Sequence, residues 1–266
     1  MNRIHPLLRV ALVGLFLAGV LLPFVQMIAT SVHATRVHPG VAVGELSWIN
    51  YRNLWSRPEL RASIATSTLY VLVNIAITLP VALPAAYAFS RYRFLGDRHL
   101  FLALIAFRIT PPVVLSLPLF QLFSELGLTD SVVGIALAHC LFNIPVTIWI
   151  LQSFMDTVPR EVDESAFIDG HSLPSYLLRV LVPMIRPGIG IAAFFCFVFS
   201  WIEVVFARIL TVTGGKPVSM AIDALFGFTT DLGLIMALTT VSLVPGLVMI
   251  WFVRNHLSRG FRIGNL

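Results

Sequence analysis

Long uncharged apolar stretches alternate along the chain with short segments that hold nearly all of its charge. A helix needs about 20 predominantly apolar residues to cross the hydrocarbon layer of a bilayer, and every backbone N–H and C=O within it must be paired inside the protein. Six stretches meet that demand, at about 10–32, 62–90, 100–124, 131–155, 187–207 and 232–253. They predict an all-α polytopic membrane protein, a single transmembrane domain over residues 1–266, with both termini on the same side. Arg3 and Arg9 precede the first stretch, as in a secretory signal. Its apolar run is much longer than the roughly 7–15 residues of a cleavable core, so it is expected to stay as a helix.

Composition strengthens this picture. Of 266 residues 58% are hydrophobic and 12% charged, and the mean hydropathy is +0.89. No soluble domain of this length hides so much apolar surface, and a disordered chain is excluded because it would not stay solvated. The formal net charge is +5, and Lys216 is the single lysine among 18 basic residues. The arginines are spread through the connecting segments rather than gathered in a nucleic-acid-binding run, so they serve as a topology signal.

Cytoplasmic loops carry an excess of Lys and Arg. Arg3, Arg9, Arg91, Arg93, Arg98, Arg160, Arg179, Arg186, Arg254, Arg259 and Arg262 fall on one side of the six spans. Arg36, Arg52, Arg57, Arg61, Arg208 and Lys216 fall on the other, while Arg108 lies within a span. Eleven against six assigns both termini to the cytoplasm.

Within the spans stand Pro23, Pro80, Pro84, Pro111, Pro112, Pro118, Pro145 and Pro245, each removing an intrahelical hydrogen bond and favouring a kink. Cys140 and Cys196 lie in apolar stretches and are expected to act as small hydrophobes, forming neither a disulfide framework nor a metal site.

The longest cytoplasmic segment, about 156–186, predicts two short helices. Thr157 or Asp156 is positioned to cap the first, Pro159 suits its first turn, and Glu161, Asp163 and Glu164 complement the positive end of its dipole. Gly170 ends it, and Ser172 with Pro174 starts the second, which runs toward Pro183. The first helix is too short to persist alone in water and carries Val162, Ala166, Phe167 and Ile168, so it is expected to dock. Helices that lie on a bilayer usually bear Lys and Arg on the polar face; this one is mostly acidic, which favours a plug for a groove on a soluble partner.

The same segment resembles the signature of permease subunits of binding-protein-dependent ABC importers: Glu-Ala-Ala, three residues, Gly, nine residues, Ile-x-Leu-Pro. Here it is Glu164-Ser165-Ala166, Gly170 and Val180-Leu181-Val182-Pro183, with Ser for Ala and Val for both Ile and Leu at unchanged spacing. Asp169-Gly170 with Val182-Pro183 and Pro187 is similar to the carbohydrate, maltose-type branch. Ala86-Tyr87-Ala88-Phe89-Ser90-Arg91-Tyr92-Arg93-Phe94, Pro111-Pro112, Pro118-Leu119 and Leu126-Gly127-Leu128-Thr129-Asp130 also match that family's pattern. Trp201-Ile202-Glu203 resembles its Trp-Asn-Glu with Ile202 in place of asparagine. The tail from Arg259 to Gly264 resembles its terminal Arg-Gly-x-x-x-Gly but lacks the Ala-Val-Lys that often follows.

The resemblance implies a permease subunit that pairs with a second, related membrane subunit and carries two cytoplasmic ATPase subunits. It would import a sugar, polyol or related solute delivered by an extracytoplasmic binding protein. Glu161, Glu164, Ser165, Ala166, Asp169, Gly170 and Pro183 would couple it to the ATPase, where ATP and Mg would bind. The expected solute is an uncharged polyhydroxylated molecule, of whose cavity this subunit supplies a part.

Arg108 is expected to face the bundle interior, since an ionised side chain at membrane depth costs at least about 2.5–3.5 kcal/mol unless a cavity or partner receives it. An anionic solute such as a glycerol phosphate would welcome it, which leaves the charge of the ligand open. Glu203 either reaches the cavity or caps a helix near Arg208. Asn74, Gln121, Asn143 and Trp201 are candidates for the solute path, with Trp149 as a further aromatic. Asn74, Gln121, His139 and Asn143 equally suit hydrogen bonds between helices.

Thr213-Gly214-Gly215-Lys216-Pro217 is not a phosphate loop, because Leu210 stands where the leading Gly is needed and Pro217 where Ser or Thr is needed. With no paired nucleophile and base and no metal-ligand cluster, the chain is expected to be no enzyme, to bind no cofactor or metal, and to meet lipid rather than nucleic acid. An ion-gradient-driven transporter and a transport-inert anchor are the rival classes. The first is disfavoured by the lack of matched halves with broken helices, and the second leaves Arg108 and the docking helix without a role.

Overall fold

The computed structural model describes residues 6–34, 45–227 and 231–260. Arg3, Arg36 and the tail from Phe261 to Gly264 lie outside the described residues, as do the side chains of Arg9 and Arg259. The described chain is built from helices α1 (Pro6–Ser31), α2 (Ile49–Ser56), α3 (Pro58–Arg91), α4 (Asp97–Ile109), α5 (Pro112–Glu125), α6 (Val132–Met155) and α7 (Arg160–Ile168). These are followed by α8 (Leu173–Tyr176), a π-helical turn over Leu177–Leu181, α9 (Val182–Met184), α10 (Arg186–Ile202), α11 (Val205–Leu210), α12 (Val218–Leu225) and α13 (Leu232–Gly260). Among the described residues four helices are each long and apolar enough to span a membrane, and the number rises to as many as six when two bent pairs are each taken as one span.

The first of those bent pairs corrects the expected continuous third span, and a helix break at Glu203 corrects the fifth. The third is two helices, α4 and α5, meeting at 96°, and the break falls where Pro111 and Pro112 remove two consecutive backbone donors. Pro112 then serves as the first residue of α5, where a missing N–H costs nothing. Arg108 therefore sits in the last turn of α4 beside the break. The expected fifth span ends early: α10 stops at Ile202, Glu203 is extended, and α11 restarts at Val205. By contrast Pro23, Pro80, Pro84, Pro118, Pro145 and Pro245 lie inside helices that continue past them.

The chain divides into two compact units. One comprises residues up to Ala62 together with Ala221–Val244, and the other Ser63–Met220 together with the segment from Pro245. In the first, Asn50 at the start of α2 donates to the carbonyls of Ser31 and His33, and the Ser31 hydroxyl meets that of Tyr51 at 2.9 Å. α2 is thereby tied to the end of α1.

The second unit holds two apolar clusters. One gathers Ala82, Ala86, Tyr87, Leu151, Met155, Tyr176, Leu181 and Ala192; the other gathers Tyr70, Ile135, Ala138, Phe142, Phe197, Phe206 and Leu210. The packing of α6 on α10 is close enough that a Cβ on Gly188 would fall 2.5 Å from the Phe154 ring. Small residues at such contacts let helices approach in the absence of a hydrophobic drive from lipid. Between the clusters a polar seam joins three helices: Asn143 donates to Asn74 Oδ1 at 2.7 Å and to Ser200 Oγ at 2.9 Å, while Asn74 donates to the Ala136 carbonyl at 2.9 Å. The free, buried thiols of Cys140 and Cys196 complete the seam against Asn74 and Thr147.

Candidate functional site

α7 is the helix expected to dock. Pro159 precedes its first residue, and neither Thr157 nor Asp156 caps it. The Thr157 hydroxyl bonds back to the Phe154 carbonyl, and Asp156 accepts from Ser90 at 2.5 Å, because both belong to the end of α6 and its link to α3. At the far end Gly170 has φ +86°. The His171 N–H reaches the Ala166 carbonyl and the Gly170 N–H the Phe167 carbonyl, the paired bonds that close a helix through a left-handed residue.

The inner face of α7 is Asp163 and Ala166, both buried. Asp163 takes the Arg91 guanidinium side-on, Nε to Oδ2 at 2.7 Å and Nη2 to Oδ1 at 3.3 Å, and accepts further hydrogen bonds from the hydroxyls of Tyr87 and Tyr176. Arg91 also donates to the Val158 carbonyl at 2.9 Å. Its charge is thus shared between the loop and the helix, and the fork geometry fixes the angle of α7 on the end of α3. The outer face shows Glu161, Glu164, Ser165, Phe167, Ile168 and Asp169, with Ile168 86% exposed.

Of the residues expected to couple, Ala166 alone is buried, Gly170 is the helix stop, and Pro183 stands in the first turn of α9. The π-turn Leu177–Leu181, which contains the signature residues Val180 and Leu181, links α8 to α9. An 87° bend then separates that segment from α10.

The sequence-based view assigns Asp163 to the helix dipole, whereas the structure gives it to Arg91. Two signals were available: Asp163 shares the Ala166 face at a spacing of three, and Arg91 lies within the Ala86–Phe94 motif.

A second site lies where the α4–α5 and α10–α11 breaks converge. A cavity of about 180 Å³ is lined by Arg108 and Pro112 from the α4–α5 break, His139 and Asn143 from α6, and Phe199, Ile202, Glu203 and Phe206 around the α10–α11 break. Non-helical backbone at membrane depth persists where protein buries it or a cavity receives it. Glu203 both caps a helix and lines the cavity. Its carboxylate accepts from the N–H groups of Val205, Phe206 and Ala207, capping α11, and faces the cavity. Its Oε2 also meets His139 Nε2 at 3.1 Å. The Arg108 guanidinium lies over the Phe199 ring, 4.3 Å from its centre.

The remaining candidates for the solute path fall elsewhere. Asn74 is fully buried in the polar seam and does not line this cavity. Gln121 is exposed on α5, Trp149 is exposed on α6, and Trp201 stacks on Phe197 at 5.4 Å.

The sequence model described as "Binding-protein-dependent transport system inner membrane component" matches residues 78–263, a stretch that includes both sites. The chain is 28% identical over 269 residues to the sulfoquinovosyl glycerol transport system permease protein SmoH of Agrobacterium fabrum, covering 97% of this chain and 93% of that one. It is also 28% identical over 219 residues to the trehalose transport system permease protein SugB of Mycobacterium tuberculosis, covering 81% and 80%. A chain of the solved structure of a bacterial ABC transporter involved in the import of the acidic polysaccharide alginate shares the fold, with a TM-score of 0.76 over 94% of each chain at 17% identity. With its helical spans, its α7 segment and this match over most of its length, the chain belongs to the family of inner membrane components of binding-protein-dependent transport systems.

Proposed function

We propose that the chain is a permease subunit of an ATP-driven ABC importer for a sugar, polyol or related solute, and that it works as a transmission between an ATPase and the membrane helices. The observation that carries this reading is α7: its inner face is clamped by Asp163 to Arg91, and its outer face leaves Glu161, Glu164, Phe167 and Ile168 exposed. An acidic-apolar face on a rigidly seated short helix suits a groove on a soluble partner. In this reading two cytoplasmic ATPase subunits hold ATP and Mg, a second and related permease completes the pore, and an extracytoplasmic binding protein delivers the solute. The excess of basic residues on the side of Arg91 and Arg186 supports a cytoplasmic docking loop and cytoplasmic termini.

Closure of the ATPase pair would pull on α7. The Arg91–Asp163 clamp would pass that pull to α3, and the α8–α9 segment with Pro183 and Pro187 would pass it to α10. Rigid elements that shift between two arrangements transmit such motion only when the partner binds them differently in the two states. Trehalose and sulfoquinovosyl glycerol in the names of the two relatives support a carbohydrate-type solute. Membership of the family sets aside the ion-gradient and inert-anchor alternatives.

The test is reconstitution of the chain with its partner subunits in proteoliposomes. Binding protein loaded with a sugar or polyol is expected to stimulate ATP hydrolysis, with little response to loaded amino-acid or metal binders. Stimulation confined to an amino acid or a metal overturns the reading.

A further inference from the structure

We infer that the Arg108 cavity selects solutes carrying an anionic group, so that the imported sugar is an acidic one, bearing a carboxylate, sulfonate or phosphate. This rests on the importer reading above and settles the charge that it leaves open, against the uncharged solute that the spans' amides and aromatics suggest.

Arg108 has no ion-pair or hydrogen-bond partner among the described residues, and its guanidinium lies over the face of Phe199. A guanidinium carries five N–H donors in a fixed fork and does not lose its proton, so it cannot become neutral to suit an apolar site. The obvious neutraliser is Glu203, which lines the same cavity. That carboxylate is already spent: three backbone N–H groups and His139 Nε2 occupy its oxygens, and no Arg108 nitrogen lies within ion-pair distance of it. Glu203 is held to its helix end and the arginine is left uncompensated.

An arginine next to a helix break, stacked on an aromatic face and half-buried in a cavity, is held in place but not satisfied. A planar oxyanion matches its fork with two parallel bonds, whereas a sugar hydroxyl uses one donor and brings no charge. The volume agrees with a partial site. About 180 Å³ is smaller than the roughly 300–1,000 Å³ of a pocket that encloses a ligand. The cavity therefore takes the acidic end of a solute whose remainder lies against another part of the complex.

The experiment uses the complex purified through a tag on this chain. ATP hydrolysis and uptake are measured with binding protein preloaded from a panel of neutral disaccharides and of uronate, sulfonate and phosphate sugars, each acidic sugar paired with its uncharged ester or alcohol. The proposal expects stimulation by an acidic member and little by its neutral counterpart. Arg108→Gln is expected to lower uptake of that solute at least about tenfold, the effect of losing one charge-assisted hydrogen bond, and Arg108→Lys to restore part of it. Membrane insertion and co-purification of partner subunits show that each variant assembles; if Arg108→Gln does not assemble, the Arg108→Lys rate on the acid–neutral pair decides. Stimulation by neutral members alone, wild-type uptake of an acidic solute by an assembled Arg108→Gln complex, or an equal loss for acidic and neutral solutes overturns the proposal while the importer stands. No response to any sugar, with response to an amino acid or metal, overturns the importer reading and this inference with it.

Discussion

Arg91, the last residue of α3, and Asp163, on the inner face of α7, form a side-on ion pair at 2.7 Å with each side chain less than a tenth exposed. Seventy-two positions apart in sequence, they join the end of the long helix α3 to the short helix α7. Because both charges are desolvated, removing one strands the other, at a cost of about 3–5 kcal/mol. Asp163→Ala and Arg91→Ala are each expected to lower the thermal stability of the purified complex and to uncouple ATP hydrolysis from uptake. The double variant is expected to lose less than the sum of the two. Additive losses, measured as a double-mutant cycle on uptake and on melting temperature, would show that the pair does not act as a unit.

Gly170 supplies the left-handed stop of α7, and nothing lies within 4 Å of a Cβ built there, so substitution is penalised by backbone conformation alone. A β-branched side chain is a true outlier in that region, whereas asparagine visits it readily. Gly170→Val is expected to insert normally in the membrane but to assemble poorly with the ATPase or hydrolyse ATP without transport, and Gly170→Asn to retain most uptake. Equal uptake by the two variants would remove the conformational account of the motif's glycine.

Asp130, itself at φ +54°, binds the loop after α11 through the N–H groups of Val212, Thr213 and Gly214 and the Thr213 hydroxyl. These bonds, the Thr213 hydroxyl foremost, hold its carboxyl below the usual carboxylate range. A depressed pKa means that the tie is fully present above the unfolded-state value and is lost as pH falls through the depressed one. The thermal stability of the wild-type complex is expected to carry this acid-limb contribution, and Asp130→Asn to lack it. An acid limb that is identical in the two proteins contradicts the assignment.

The orientation is open to a direct check. Reporters fused in the segments 91–98 and 159–186 are expected to report the cytoplasm, and one near Asn50 the opposite side. A cytoplasmic signal at Asn50 would invert the topology and separate α7 from any cytoplasmic ATPase.

The all-helical class, the approximate places of the long apolar helices, and the short acidic helix with its Gly170 stop were legible in the linear sequence. Hydropathy over about 20 residues and helix-end chemistry are local properties, readable without knowing what packs where. What the tertiary structure decided is each long-range partnership. Pro111-Pro112 was visible as a weak point, but a 96° break, rather than a kink, depends on what the helices pack against. Asn74 and Arg108 looked alike as polar residues in spans, yet one is saturated by a seam between helices and the other is left facing a cavity. Glu203 caps α11 and meets His139, 64 positions away, and Asp163 found Arg91 instead of a helix dipole. Such pairings are set by how the helices pack, and no local sequence pattern encodes which buried polar group meets which.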